Sequence, residues 1–381
     1  MDFLLSEEQE ILKESIRNFA GKEIQPLVKE YDEKGCWPEE LTQKLGDMGL
    51  LGIVIPTEYA GAGYSNVDYV IILEEIAKVD PAVGLVVAAH NSLCSNHFNF
   101  FASEDQKKKY LTRLASGQTL GAWGLTESSA GSDAAAMKTK AEKKGDHWIL
   151  NGSKTFITNG SLAEILVVMA VTDPQAEKKG ISSFILEKGT EGFSIGKKED
   201  KLGIRASDTA ELIFEDVQIP ADNLIGEEGK GYRQAMSILD GGRVSIAGFS
   251  LGVAAGALET SLKYAKKREQ FQQPIANFQA IQWMLADGFT ELEAARLLTY
   301  RAAFLEDQGK KIPKESAMAK LFSSELAVRA ARDAVQIHGG YGFTKDYPVE
   351  KYYRDCMLAT IGEGTSEIQR WIIAQKVLSE Y

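Results

Sequence analysis

The stretch Ile361-Gly-Glu-Gly-Thr-Ser-Glu-Ile-Gln-Arg370 places one carboxylate between two glycines. Gly362 and Gly364 lack side chains, so the backbone there can bring Glu363 close to a ligand. A carboxylate serves as a general base when burial lifts its pKa towards neutrality and water is excluded. The same residues also read as an ordinary helix start. Ser366 and Gln369 have capping-box spacing, and the glycines are then loop residues. Other segments carry similar double readings. Asp240-Gly-Gly-Arg243 gives an i,i+3 ion pair worth only ~0.3–0.5 kcal/mol on a solvated face. Arg268 reads as a cation complementing a helix C-terminus. Gly339 and Gly340, after Gln336-Ile-His338, read as a helix C-cap.

These groups sit in a chain of 381 residues, 44 % apolar and 25 % charged, with a formal net charge of −11. That length predicts two or three domains of a globular protein. The acidic balance argues against a general nucleic-acid binder but leaves room for a phosphate-bearing ligand in a local basic pocket. The first residues, MDFLLSEEQE, have no basic n-region, which argues against a secretory or transit leader. No apolar run reaches the ~18–20 residues of a membrane span. Cys36, Cys94 and Cys356 are scattered and odd in number. They predict no zinc site and no disulfide framework, and they fit a reducing, cytoplasmic setting. His90, His97, His147 and His338 show no HxH or HxxxH pairing, so no metal is expected.

The elements that must position these groups change character twice. Residues 1–120 read as an α-helical domain. It opens with a Ser6/Gln9 capping box, and Ile11, Leu12, Ile16, Phe19 and Ala20 follow at helical spacing. Pro26 should bend or end that segment. Leu41 to Met48 and Tyr69 to Val79 give two more helices, with a Gly-rich loop between them. Residues 121–228 read as a β domain, a small barrel or sandwich of short strands. Asn151-Gly152 and Asn159-Gly160 are expected as hairpin turns. Ile165–Val171, Ser182–Leu186, Ala210–Phe214 and Val217–Ile219 continue the series. Residues 229–381 return to long helices, spanning Gly231–Arg268, Phe278–Gln308, Lys314–Ile337 and Ser366–Leu378. Short links between them predict an antiparallel bundle. No GxGxxG opens a βαβ unit, so a Rossmann site is not supported.

In order along the chain, these segments resemble the acyl-CoA dehydrogenase family. Trp123-Gly-Leu-Thr-Glu-Ser-Ser-Ala-Gly-Ser-Asp133 looks like the family's flavin signature, with Ser128 in place of the common proline. Lys154-Thr-Phe-Ile-Thr-Asn159 resembles the strand lining the flavin ring. Lys201-Leu-Gly-Ile-Arg-Ala-Ser207 matches a family segment to which no direct chemistry is assigned. Arg268-Glu-Gln-Phe271 resembles an RxxFG segment, with Gln272 replacing the glycine. The glycine-flanked Glu363 resembles the base motif near the end of family members. The resemblance implies a three-domain architecture, mainly α with a middle β-barrel and a C-terminal four-helix bundle.

The resemblance also implies FAD as cofactor. Leu125, Thr126, Ser132, Phe156, Thr158, Thr365 and Glu367 would contact it. Arg268, Phe271, Gln336, Gly339 and Gly340 would hold its diphosphate and adenosine portion, supplied from a neighbouring subunit. Asp240, Arg243, Ser132 and Gly364 would meet the acyl-CoA substrate. Glu363 would take the α-proton while the β-hydrogen leaves as hydride. The implied reaction converts a short- to medium-chain acyl-CoA, butyryl-CoA-like, to its trans-2-enoyl-CoA. An electron-transferring flavoprotein would be the electron acceptor and a homotetramer the assembly. Many relatives have Tyr before the base where this chain has Gly362. Branched or alicyclic acyl groups, such as cyclohexane-type thioesters, are therefore alternatives. So are a reductase running the reaction backwards and a flavin- or acyl-CoA-binding subunit without turnover.

Overall fold

A computed structural model describes residues 4–380. Eight helices precede the first strand: α1 (Glu7–Phe19), α2 (Val28–Lys34), α3 (Glu39–Asp47), α4 (Asn66–Val79), α5 (Pro81–Ala88), α6 (Asn96–Phe101), α7 (Glu104–Gln106) and α8 (Thr112–Ala115). The Ser6/Gln9 capping box forms at the start of α1. Pro26 lies in a 3₁₀ turn, Gln25–Leu27, which breaks the helical run between α1 and α2. That position suits a residue without an N–H.

Seven strands follow: β1 (Gly121–Gly124), β2 (Lys140–Lys144), β3 (His147–Thr158), β4 (Ile165–Val171), β5 (Ile181–Glu187), β6 (Phe193–Lys198) and β7 (Thr209–Pro220). They form one mixed, curled sheet in the order β1-β4-β2-β3-β7-β6, with β5 also paired to β4. β1 and β2 run parallel to β4, and the remaining pairs are antiparallel.

Two hairpin expectations fail here. Asn151-Gly152 lies inside β3, and β7 joins Ala210–Phe214 and Val217–Ile219 into one strand. The pair makes a β-bulge: the β3/β7 register slips between Leu150 and Gly152, where Gly152 has φ 137°. Asn151 donates to the Asp216 carboxylate at 2.9 Å and accepts from the Asp216 N–H at 2.8 Å. This exchange holds both strands through the irregularity. Asn159-Gly160 does turn the chain out of β3. The next strand, β4, pairs with β1, β2 and β5 rather than with β3, so no hairpin forms.

The chain ends in helices α9 (Gly231–Lys267), α10 (Gln279–Asp307), α11 (Pro313–His338), α12 (Val349–Asp355) and α13 (Ser366–Glu380). The tiny strands β8 (Glu269–Gln270) and β9 (Gln273–Pro274) lie between α9 and α10. α9, α10, α11 and α13 make the bundle, and α4 lies against α9. α9 is long and apolar enough to cross a bilayer, but 89 % of that window is buried inside the protein. It is the central core helix. Glycine at 252 lets α4 approach: a Cβ there would sit 2.5 Å from the Glu74 carbonyl oxygen.

The Lys201–Ser207 segment has a structural task. Ile204 donates its N–H to Asp355 Oδ1 at 2.5 Å from a left-handed backbone, φ 54°. Asp355 also accepts from Lys351 Nζ (2.6 Å), which donates in turn to Asp80 (2.7 Å). This buried triad ties the loop after α4, the β segment and α12 together. Gly203 is needed because a Cβ there would meet the Arg354 carbonyl oxygen at 2.3 Å. Removing Lys351 strands two buried carboxylates. Lys351→Met is expected to cost about 3–5 kcal/mol, measured as a fall in the midpoint of denaturant unfolding.

Candidate active site

Glu363 sits in the loop between α12 and α13 with φ 52°, and Gly364 follows with φ 97°. Two successive left-handed residues turn the loop sharply, and the first is not a glycine. Such strain persists only where the surroundings enforce it. Three contacts do so. Lys320 Nζ, buried on α11, donates to the Gly364 carbonyl at 2.8 Å. Gln369 Nε2 donates to the same carbonyl at 2.8 Å and to that of Glu363 at 3.3 Å. A Cβ at 364 would approach Gln369 Nε2 to 2.7 Å.

The Ser366/Gln369 capping box is therefore not formed. Thr365 Oγ1 accepts the Ile368 N–H at 3.4 Å instead, and Ser366 Oγ is buried without a partner. Gln369 is withdrawn from capping because it holds the loop.

The Glu363 carboxylate lies over the backbone of α9. A Cβ at Gly242 would come within 2.1 Å of Glu363 Oε2 and 3.2 Å of Leu93 Cδ2. Oε2 is buried and has no hydrogen-bond partner. Burial pushes the Glu363 carboxyl up to about 7, against the opposing pull of Lys320 and Arg243. A group with that affinity takes and releases a proton near neutral pH. Among the described residues, no carbonyl accepts the Glu363 N–H.

A hydroxyl cluster underlies the carboxylate. Tyr69 Oη and Ser92 Oγ both donate to the Ala88 carbonyl, at 3.1 and 2.7 Å. Ser245 Oγ lies 3.1 Å from Ser92 Oγ and 2.8 Å from the Gly242 carbonyl. Burial, and after it the Glu363 charge, hold the Tyr69 phenol neutral far above its usual range. Beside them, buried Arg243 pairs with half-buried Asp240 at 2.5 Å, while Arg243 Nε has no partner. Glu363, Gly364, Asp240 and Arg243 thus converge on one place.

Leu125 and Thr126 follow β1, and Thr155 donates its N–H to the Thr126 carbonyl at 2.9 Å. This joins the first loop to the strand that carries Phe156 and Thr158. Phe156 is a non-glycine residue at φ 59° on a register slip in β3, and the residue is 63 % exposed. Strained backbone of this kind persists only where the surrounding structure enforces it. Thr158 is partly buried, and Ser132 is exposed on the loop after Thr126. Leu125, Trp123 and Leu93 share one apolar cluster, which connects this face to the Glu363 seat.

The remaining predicted residues gather elsewhere. Arg268 ends α9, and its guanidinium lies 6.0 Å from the Tyr341 ring. Tyr264, one turn earlier, stacks on His338 at 4.1 Å. Gln336, Gly339 and Gly340 are exposed there, with Gly339 at φ 58°. Phe271 and Gln272 form a tight turn at φ 53° and 64° between β8 and β9, and Phe271 is 87 % exposed. Gly242 and Arg268 are separated by about 39 Å along α9 at 1.5 Å per residue. One chain therefore keeps two separate groups of predicted residues. Thr365 and exposed Glu367 belong with Glu363, at the start of α13.

Sequence reasoning missed Lys320, Gln369 as a loop anchor, and the Tyr69–Ser92–Ser245 cluster. The only local signal for Lys320 is a lysine inside the apolar run Ala317–Phe322.

A buried carboxylate held in a strained loop, with its proton affinity raised to about 7, has the placement of a general base. Family models agree along the chain. The acyl-CoA dehydrogenase N-terminal domain matches residues 6–118, the middle domain 122–217 and the C-terminal domain 229–378. The chain belongs to the acyl-CoA dehydrogenase family, oxidoreductases acting on CH–CH groups. A short-chain-specific acyl-CoA dehydrogenase of Clostridium acetobutylicum is 48 % identical over 377 residues, 99 % of this chain and 100 % of that one. The butyryl-CoA dehydrogenase of Megasphaera elsdenii superposes with a TM-score of 0.97 at 44 % identity, covering 99 % of this chain and 100 % of that one. A chain from a structure concerning the electron-transferring flavoprotein of Acidaminococcus fermentans and electron bifurcation gives 0.98 at 48 % identity, covering 99 % and 100 %.

FAD is the cofactor of this family, and the residues present fit it. The exposed, strained Phe156 and the unpartnered Glu363 Oε2 and Arg243 Nε leave an apolar face and polar groups for a ligand to meet.

The seat of Glu363 depends on Gly242. Gly242→Ala is expected to leave a folded protein and to slow substrate-driven flavin reduction by about 10²-fold through displacement of the carboxylate. Anaerobic rapid mixing with butyryl-CoA measures it.

Proposed function

We propose that this chain oxidises short- to medium-chain acyl-CoA thioesters to trans-2-enoyl-CoA, with Glu363 as the base. The observation that carries the reading is the buried, unpartnered Glu363 Oε2 seated on Gly242, where burial pushes the carboxyl up to about 7. A carboxylate so placed abstracts the α-proton once substrate has excluded water. The Glu363 N–H donates to the thioester carbonyl as charge develops on its oxygen. Lys320 and Gln369 hold the loop so that base and donor keep one geometry. Asp240, Arg243, Ser132 and Gly364 contact the acyl-CoA. Bound FAD supplies the acceptor for the β-hydride.

Leu125, Thr126, Ser132, Phe156, Thr158, Thr365 and Glu367 form the flavin end of the site. Arg268, Phe271, Gln336, Gly339 and Gly340 form a nucleotide end, with the Arg268 fork suited to a diphosphate. The Glu363 seat and the nucleotide end are set apart along α9, and the two ends serve different FAD molecules, each shared by two copies in a homotetramer. The exposed Phe271 and Phe343 fit such an interface. Residues 1–120, 121–228 and 229–381 act as its helical, β and bundle units.

Reduced enzyme passes electrons to an electron-transferring flavoprotein in the cytoplasm. The close likeness to the chain from the Acidaminococcus fermentans work supports that partner. A bulkier acyl group is a second reading. A Cβ at Gly362 would meet nothing nearer than 3.5 Å, so the loop leaves room where relatives carry a phenol ring.

Glu363→Gln keeps the side chain's size and removes the base. It is expected to retain FAD and to slow flavin bleaching by butyryl-CoA by about 10²–10⁴-fold. Bleaching at the wild-type rate would refute the assignment. Parallel mixing with cyclohexanecarbonyl-CoA separates the two substrate readings.

A further inference from the structure

We infer that the buried Glu127–Lys154 pair is a positioning device for FAD, locking the Leu125–Thr126 loop and the Phe156–Thr158 strand into one prepared flavin face. The inference rests on the reading of those two segments as the flavin end of the site. Lys154 is fully buried and Glu127 nearly so. Lys154 Nζ donates to Glu127 Oε1 at 2.7 Å and to the Leu125 carbonyl at 3.1 Å. It therefore grips the loop at the residue that begins the proposed flavin contacts.

Glu127 binds the chain on its other side. Its carboxylate accepts the N–H groups of Lys138 (2.6 Å) and Thr139 (3.0 Å). Its own backbone N–H and carbonyl close a turn with Ala130, at 3.0 and 3.1 Å. Thr139 Oγ1 then donates to the Ser153 carbonyl at 3.1 Å, next to Lys154. One ion pair thus fixes the start of the loop, its return into β2 and the strand facing it.

The consequence falls on Phe156. Lys154 points inward two residues before it, Ile157 points inward one residue after it, and the register slips between them. The slip turns the ring outward on a left-handed backbone. Nothing about Phe156 itself secures that conformation, since its ring is largely exposed. The inward anchors on either side do so, and Lys154 is the one tied to the opposite segment. Gly124 completes the fit: a Cβ there would press on Lys154 Cγ at 3.3 Å. A buried charge pair is a costly way to hold a loop when apolar packing would serve. What it provides is direction: its hydrogen bonds tie named atoms of the loop to the strand that carries Phe156.

Lys154 touches no reacting atom in this account, so it acts through the segments it holds. The test compares Lys154→Met, the milder Glu127→Gln, Phe156→Ala as a direct-contact control, and the wild type. The rate at which FAD leaves each holoenzyme on dilution is read from recovered flavin fluorescence, and thermal midpoints are recorded with and without FAD. Lys154→Met is expected to speed FAD release by at least tenfold and Glu127→Gln by a smaller factor. In both, the thermal midpoint should fall further with FAD than without it. If Lys154→Met does not fold, Glu127→Gln carries the same expectation alone. A merely structural pair would lower both midpoints equally and leave the release rate of the folded protein unchanged, and that result overturns the inference. Faster release from Phe156→Ala with unchanged release from both pair variants would overturn the inference and leave the flavin reading intact. A wild-type chain that holds no FAD would overturn both.

Discussion

Burying a carboxylate without a hydrogen-bond partner is costly unless the group gives up its charge or meets an opposing one. The fold imposes this condition on Glu363 Oε2 and arranges the neighbourhood around it. The carboxylate needs a flat seat, and Gly242 on α9 supplies one. It needs a loop that enters from the left-handed region, and Lys320 and Gln369 hold that loop by its carbonyls. Cations at Lys320 and Arg243 oppose the upward push of burial on its proton affinity. No single contact among these is strong. Together they define one position for the carboxylate and one range of pH in which it exchanges a proton.

The larger architecture follows from the need to keep that position fixed. α9 carries Gly242 in its first half and Arg268 at its end, so one core helix supports both groups of predicted residues. α4 can press on it because small residues clear its path. The Asp80–Lys351–Asp355 triad then pins the β segment and α12 to the loop after α4. Fixed in this way, the curled sheet presents Phe156 from one side while the α13 loop presents Glu363 from the other. Leu93, Trp123 and Leu125 belong to one apolar cluster, and Leu93 also lies beside the Gly242 seat.

Much of this was legible in the sequence because the chemistry is carried by short local motifs. The glycine-flanked Glu363, the Thr126-containing loop, the Phe156 strand and the long C-terminal helices each announce themselves within about ten residues. Helix α1 was legible down to its capping box. What the sequence could not reveal depends on distant partners. Asn151-Gly152 has the composition of a hairpin turn, yet Asp216 on another strand completes it as a bulge. Ser366 and Gln369 have capping spacing, yet Gln369 is drawn to the loop carbonyls and Thr365 takes over the cap. Lys320, Tyr69, Ser92 and Ser245 come from four other elements and carry no local mark of their association with Glu363. The short strands β1, β2 and β6 lack clear alternation, because pairing in the sheet rather than pattern decides them. The Lys201–Ser207 segment looked conspicuous without a chemical role, and its role proves to be joining three parts of the chain.

The central claim is that dehydration at Gly242, and not a hydrogen-bond partner, sets the proton affinity of Glu363. Infrared difference spectroscopy tests it most directly. The protonated carboxyl stretch would be followed against pH in the wild type and in Glu363→Gln, and the difference between the two isolates one group. The account predicts a band that is lost as pH rises, with a midpoint of about 7. A midpoint near the ordinary glutamate value of about 4.3 would mean that the carboxylate is solvated, and would contradict the account.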